Sequence, residues 1–87
     1  MDVLYPKTST RIFIPRELNG MIGRSVFKVA HRSPSAVVYW HIDNEFMGAT
    51  EKVHQLAVYP TPGKHKLTIV DGHGEILTRY FEVISSL

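Results

Sequence analysis

Glycine or proline stands at positions 6, 15, 20, 23, 34, 48, 60, 62, 63, 72 and 74 of the 87-residue chain. This punctuation leaves pieces too short for long helices and of the length that strands use. The central piece carries the only tryptophan, in Val37-Val38-Tyr39-Trp40-His41-Ile42-Asp43-Asn44-Glu45-Phe46-Met47-Gly48. Val38, Trp40 and Ile42 alternate with Tyr39, His41 and Asp43, so an extended segment puts the first three on one face and the others on the opposite face. An indole in mid-strand hides roughly 150–250 Å². A domain of this size buries only about 60–65% of its unfolded surface, so the neighbouring strands must be shaped to that ring.

The flanking pieces read the same way. Val3-Leu4-Tyr5-Pro6 and Arg11-Ile12-Phe13-Ile14-Pro15 are strands that each end at a proline, as in a strand split along a sheet edge. Asn19-Gly20 and Gly23 supply a turn, and Arg24 to Ala30 alternates with Phe27 and Val29 inward and Lys28 outward. His31 to Ala36 is a loop. Asp43-Asn44 or Asn44-Glu45 makes a two-residue hairpin turn, from which Phe46 to Thr50 pairs back on the tryptophan strand. Residues 49–59 fit either a helical face (Val53, Leu56, Ala57) or a strand ending at Pro60, and the strand is favoured. Pro60-Thr61-Pro62-Gly63 is a turn. His65, Leu67 and Ile69 then share a face, and Asp71-Gly72-His73-Gly74 closes a hairpin into a last strand with Phe81 and Val83 inward.

The sum is all-β: an immunoglobulin-like β-sandwich of seven to eight short antiparallel strands, forming one domain over residues 1–87. There are no cysteines, so no disulfide, thiolate chemistry or thiolate-bound zinc is available. Phe27 with Leu67 and Ile69 must then fill the space that a disulfide takes beside the tryptophan in immunoglobulin domains. Apolar runs such as Val37 to Trp40 fall far short of the ~20 residues that span a bilayer. Met1-Asp2 opens neither a basic nor an apolar signal region, so the signal of an exported parent is expected outside this stretch. A formal charge of +2 is too small to point to nucleic acid. Residues 1–32 nonetheless hold six basic side chains against Asp2 and Glu17, whereas the remainder holds four basic against six acidic.

Taken in order, Tyr5-Pro6, Arg11-Ile12-Phe13-Ile14-Pro15-Arg16-Glu17-Leu18, Tyr39-Trp40-His41-Ile42-Asp43 with Gly48, and Pro62-Gly63-Lys64-His65-Lys66-Leu67-Thr68-Ile69-Val70-Asp71 resemble the C-terminal domain of class A penicillin-binding proteins of the 1C type. The resemblance covers nearly the whole chain. It implies a bifunctional parent that polymerises glycan strands and cross-links stem peptides, anchored by a membrane helix and facing the periplasm. This domain would be its non-catalytic tail, with the upstream catalytic domains as partners in the same chain and a cell-envelope protein or peptidoglycan as a further one. The family contributes no catalytic or binding residues for the tail, and it implies no cofactor.

Ser25-Val26-Phe27-Lys28 spells the S-x-x-K motif of penicillin-binding active sites. That motif works on a helix, where a spacing of three brings the two side chains to one face; on a strand they point apart. The alternation here is that of a strand, no Ser-x-Asn follows, and Lys7-Thr8-Ser9 departs from Lys-Thr-Gly at its last residue. Histidines 31, 41, 54, 65 and 73 form neither H-x-H nor H-x-x-x-H, so no metal site is expected. His65 is expected at the core edge, bonded to a carbonyl, and His73 in a turn. A triad of Ser25, His41 and Asp43 lacks any nucleophile-elbow glycines. The remaining candidates form a binding face of outward aromatic residues, Tyr39, His41 and Tyr80, with Tyr59 as a further exposed ring. The same residues also serve as cross-strand pairs that stabilise a sheet. An independent extracellular sandwich module for adhesion or carbohydrate recognition is the alternative to a synthase tail.

Overall fold

The computed structural model describes residues 1–7, 9–14 and 23–85. Among these residues, eight strands build two facing sheets. One has the order β1 (Asp2–Tyr5), β3 (Ser25–Ala30), β6 (Gln55–Val58); the other has the order β2 (Thr10–Ile14), β8 (Ile76–Ser85), β7 (Gly63–Asp71), β4 (Val37–Ile42), β5 (Glu45–Glu51). The turn expected at Asn19-Gly20 lies outside the described residues.

The period-2 pattern places the core between the sheets. Trp40, Val38, Phe27, Leu67 and Ile69 are fully buried, and β4 pairs with β7 so that Trp40 faces Ile69 and Ile42 faces Leu67. Phe27 crosses from the smaller sheet to meet Phe81 edge to face, with ring centroids 5.2 Å apart. Aromatic and branched side chains thus fill the centre that a disulfide otherwise bridges, at no cost in ordering a polar group.

The β4–β5 hairpin turns at Asp43 (φ 52°) and Asn44 (φ 67°). Two consecutive left-handed residues define the type I′ turn whose twist suits a hairpin, and Asp and Asn tolerate that region best after glycine. A bulge follows, because the register shifts between Trp40 and His41. Gly48, opposite Trp40, has a φ of 150°, which a side chain would strain.

Two expectations need amending. The strands are not all antiparallel: β2 runs parallel to β8, from Thr10 beside Phe81 to Ile14 beside Ser85. The split first strand does not follow one sheet edge either. β1 pairs with β3 in one sheet and β2 with β8 in the other, and the chain crosses between them after the cis Tyr5–Pro6 bond. β8 continues through Ser85. Residues 49–59 resolve into the end of β5, a bend at Lys52-Val53, and β6. The strand reading of this stretch holds because Leu56 and Val58 alternate inward against β3.

Candidate functional site

Tyr39, His41 and Tyr80 all lie on the outer face of the five-stranded sheet, because each is one residue out of phase with a buried neighbour, Trp40 or Phe81. Tyr39 sits between Ala49 and Val70, is 40% exposed, and is next but one to His41. The His41 ring packs edge to face on Phe46 at 5.6 Å, and its Nδ1 is buried without a hydrogen bond among the described residues. Tyr80 lies two strands away on β8, opposite Lys66, and is 61% exposed. Phe13, Ile76 and Ile84 are exposed on the β2–β8 side of the same face. Tyr59 is exposed but falls beyond the end of β6, off this face.

Two histidine clusters at opposite ends of the sheet went unforeseen. At one end the backbone N–H of Ser33 donates to His31 Nδ1 (3.0 Å), so the Nε2–H donates to Asp71 Oδ2 (2.9 Å). Asp71 Oδ1 accepts from the N–H groups of His73 and Glu75, 2.9 Å each. The bond to His31 and the two main-chain donors outweigh burial and hold the Asp71 carboxyl at about 2, below its ordinary 3.8. The side chain therefore ties the β7–β8 turn to the β3–β4 loop. An Asp–His dyad needs its second ring nitrogen free to take a proton from a nucleophile. Here a main-chain amide occupies it, so the pair fastens loops and does not activate a hydroxyl.

Beside it, the Trp40 Nε1–H donates to Thr50 Oγ1 (2.9 Å), and the Thr50 hydroxyl donates to His54 Nδ1 (2.8 Å). Burial, and secondarily the nearby His31, lower the His54 pKa from 6.5. Thr50 thus satisfies the polar atoms of two buried rings at once.

At the other end, His65 Nδ1 meets Asp43 Oδ2 at 2.5 Å and Nε2 meets the Thr61 carbonyl at 2.6 Å. Both partners are acceptors, so both ring nitrogens must carry protons and the ring is an imidazolium. Burial opposes that charge, but the bonds to Asp43 and Thr61 prevail and raise the His65 pKa above 6.5. The ring stacks on Phe81 at 5.4 Å, at the edge of the core as expected. The backbone N–H of Lys66 also donates to Asp43 Oδ1, 2.8 Å, so the hairpin turn is clamped to β7.

Ser25 and Lys28 belong to β3, where Ser25 has the inward phase of Phe27 and Lys28 faces out. The S-x-x-K sequence therefore brings no amine to its hydroxyl. Ser25 lies in the smaller sheet, away from His41 on β4, and Asp43 is bonded to His65 instead; the paper triad does not assemble. Among the described residues no three His, Asp or Glu side chains are grouped to hold a metal ion, and no helix is long and apolar enough to cross a membrane.

The model of the Penicillin-Binding Protein C-terminus Family matches residues 1–82. The chain belongs to that family. Membership makes this family domain part of a cell-envelope protein. A solved structure of fibronectin(III)-like modules of Clostridium thermocellum CbhA is similar over 99% of this chain and 98% of that one, with a TM-score of 0.71 at 12% identity. At that identity the likeness bears on fold alone, and it agrees with the immunoglobulin-like sandwich. No curated protein matches the chain.

Proposed function

We propose that this family domain is the non-catalytic C-terminal accessory domain of a bifunctional peptidoglycan glycosyltransferase/transpeptidase. It works on the periplasmic side of the bacterial inner membrane, beside the upstream catalytic domains of its parent chain, and it binds cell-wall material or an envelope protein. The family match carries the reading. It is supported by the small all-β fold and by a sheet face that keeps Tyr39, His41 and Tyr80 on one side. Exposed rings on a rigid sheet lose little entropy on binding.

A nitrogen-15 NMR titration with soluble glycan strands and stem-peptide fragments tests it. Shifts clustered on Tyr39, His41 and their sheet neighbours are expected if the domain reads the wall. Silence at millimolar ligand redirects the search to protein partners, and co-purification with neither wall material nor envelope proteins refutes the binding role. The fibronectin(III)-like fold favours one second reading, an independent extracellular module. A string of similar sandwiches in the full gene, in place of upstream synthase domains, would establish that alternative.

A further inference from the structure

We propose that the end of the outer sheet face around Tyr80 is a subsite for an acidic saccharide, a pyranose ring bearing a carboxylate; this rests on the binding role just proposed and names its ligand class. The register builds the patch. Lys66 faces Tyr80 across the β7–β8 ladder, Lys64 faces Glu82, and Arg11 of β2 flanks Glu82 on its other side. All five residues share the outward phase. A cleft of about 340 Å³ crosses these three strands, and Ser9, Arg11, Lys64, Tyr80 and Glu82 contribute to its lining. Its volume is at the low end for small-molecule sites, the size of one or two sugar rings.

The charge on this patch is unbalanced. Glu82 is its one carboxylate and is engaged by Arg11 Nε at 3.4 Å. Lys64 has no carboxylate within ion-pairing distance among the described residues. Asp43 on the neighbouring hairpin turn offsets part of the Lys66 charge, but Arg11, Lys64 and Lys66 still outnumber the two carboxylates, and lysine and arginine heads are the groups that hold a carboxylate. Tyr80 adds a flat ring that stacks on no other aromatic side chain among the described residues. Its negative π-face suits the weakly positive C–H face of a pyranose. An acidic peptide fits less well. β8 is paired on both sides, by β2 and β7, so an extended chain finds no free strand edge there and loses the main-chain bonds that carry strand addition. A sugar ring needs only the side chains present.

The test is a nitrogen-15 NMR titration of the 87-residue chain with trigalacturonic acid, with its methyl ester, and with an oligoglutamate peptide. The acid should shift the amides around Tyr80 and Lys66, and the uncharged ester should bind about ten-fold more weakly or worse. Tyr80→Ala and the double variant Lys64→Gln/Lys66→Gln should weaken the acid to a similar extent while keeping the dispersed amide spectrum of the folded domain, since they remove only outward-facing cross-strand pairs. Equal binding of acid and ester overturns the proposal, as does oligoglutamate binding at the same residues with equal affinity. If trigalacturonic acid moves nothing while wall fragments still shift Tyr39 and His41, the acidic subsite is refuted and the accessory role stands. If the acid binds at Tyr80 and wall fragments and envelope proteins bind nowhere, the subsite stands and the wall-facing role fails.

Discussion

Replacing Thr50 with valine changes one buried link while keeping the side chain β-branched and nearly the same size. The hydroxyl it removes accepts from Trp40 Nε1 at 2.9 Å and bonds His54 Nδ1 at 2.8 Å. Trp40 is completely buried and His54 is 6% exposed, so neither ring can turn to water for a replacement. An unsatisfied buried donor or acceptor costs about 1–3 kcal/mol. Two of them, less about 0.8 kcal/mol for the methyl that replaces the hydroxyl, predict a loss of about 1–5 kcal/mol. A domain of this length holds on the order of 5–10 kcal/mol in all, so the variant should unfold at a much lower urea concentration. Trp40 fluorescence reports the transition, and with a slope of about 1 kcal/mol/M the midpoint should fall by roughly 1 M or more. Thr50→Ser keeps both bonds and loses one methyl, so it should cost only about 1 kcal/mol. A valine variant no less stable than the serine variant would refute the reasoning, because it would show that neither ring depends on the hydroxyl.

Stability should peak near pH 6.5, from two histidines shifted in opposite directions. The raised pKa of His65 gives a contribution complete below 6.5 and lost as pH rises through the folded value, whereas the lowered pKa of His54 gives one complete above 6.5 and lost as pH falls toward its folded value. In urea midpoints measured across pH, His65→Gln should flatten the alkaline limb and His54→Gln the acid limb; unchanged limbs would contradict the assignments. Asp71→Asn should lower the thermal midpoint at neutral pH, and its deficit relative to the native chain should shrink between pH 3.8 and about 2, as the native carboxyl takes up its proton. Leu67→Ala, at a fully buried site, should cost about 2–5 kcal/mol by urea denaturation, enough to leave the domain near its folding threshold.

What could be read from the sequence is what acts within a few residues. The alternation in β4, β7 and β8 assigned Trp40, Leu67, Ile69, Phe81 and Val83 to the core, and their out-of-phase neighbours Tyr39, His41 and Tyr80 to the outside. Asp43-Asn44-Glu45 marked a hairpin because only a few residue types accept two left-handed positions in succession, although the choice between Asp43-Asn44 and Asn44-Glu45 needed the structure. Contacts between distant segments left no such trace. His31 and Asp71 are 40 positions apart, and nothing in a loop histidine names its carboxylate; the sole local cue was an aspartate ahead of Gly-His-Gly, the usual start of a side-chain-capped turn. The crossing of the first strand was hidden for a similar reason. A proline ends β1 equally well whether the chain stays on its sheet or leaves it, so only the opposing surfaces decide. The patch at Tyr80 was half visible: the ring could be placed outside, but the lysines and arginine around it come from three strands whose register the sequence does not state.

The parallel pairing of β2 with β8 also determines how the domain answers a mechanical load. The five registered pairs from Thr10 beside Phe81 to Ile14 beside Ser85 run along the direction between the start of β2 and the end of β8. A pull on Thr10 and Ser85 in opposite directions slides the two strands lengthwise, so their hydrogen bonds bear the load together and must yield at once. Antiparallel partners pulled from adjacent ends would open one pair at a time, each bond worth only about 1 kcal/mol net. The β2–β8 seam is therefore a shear lock, which holds along its whole length against a pull that would unzip an antiparallel pair.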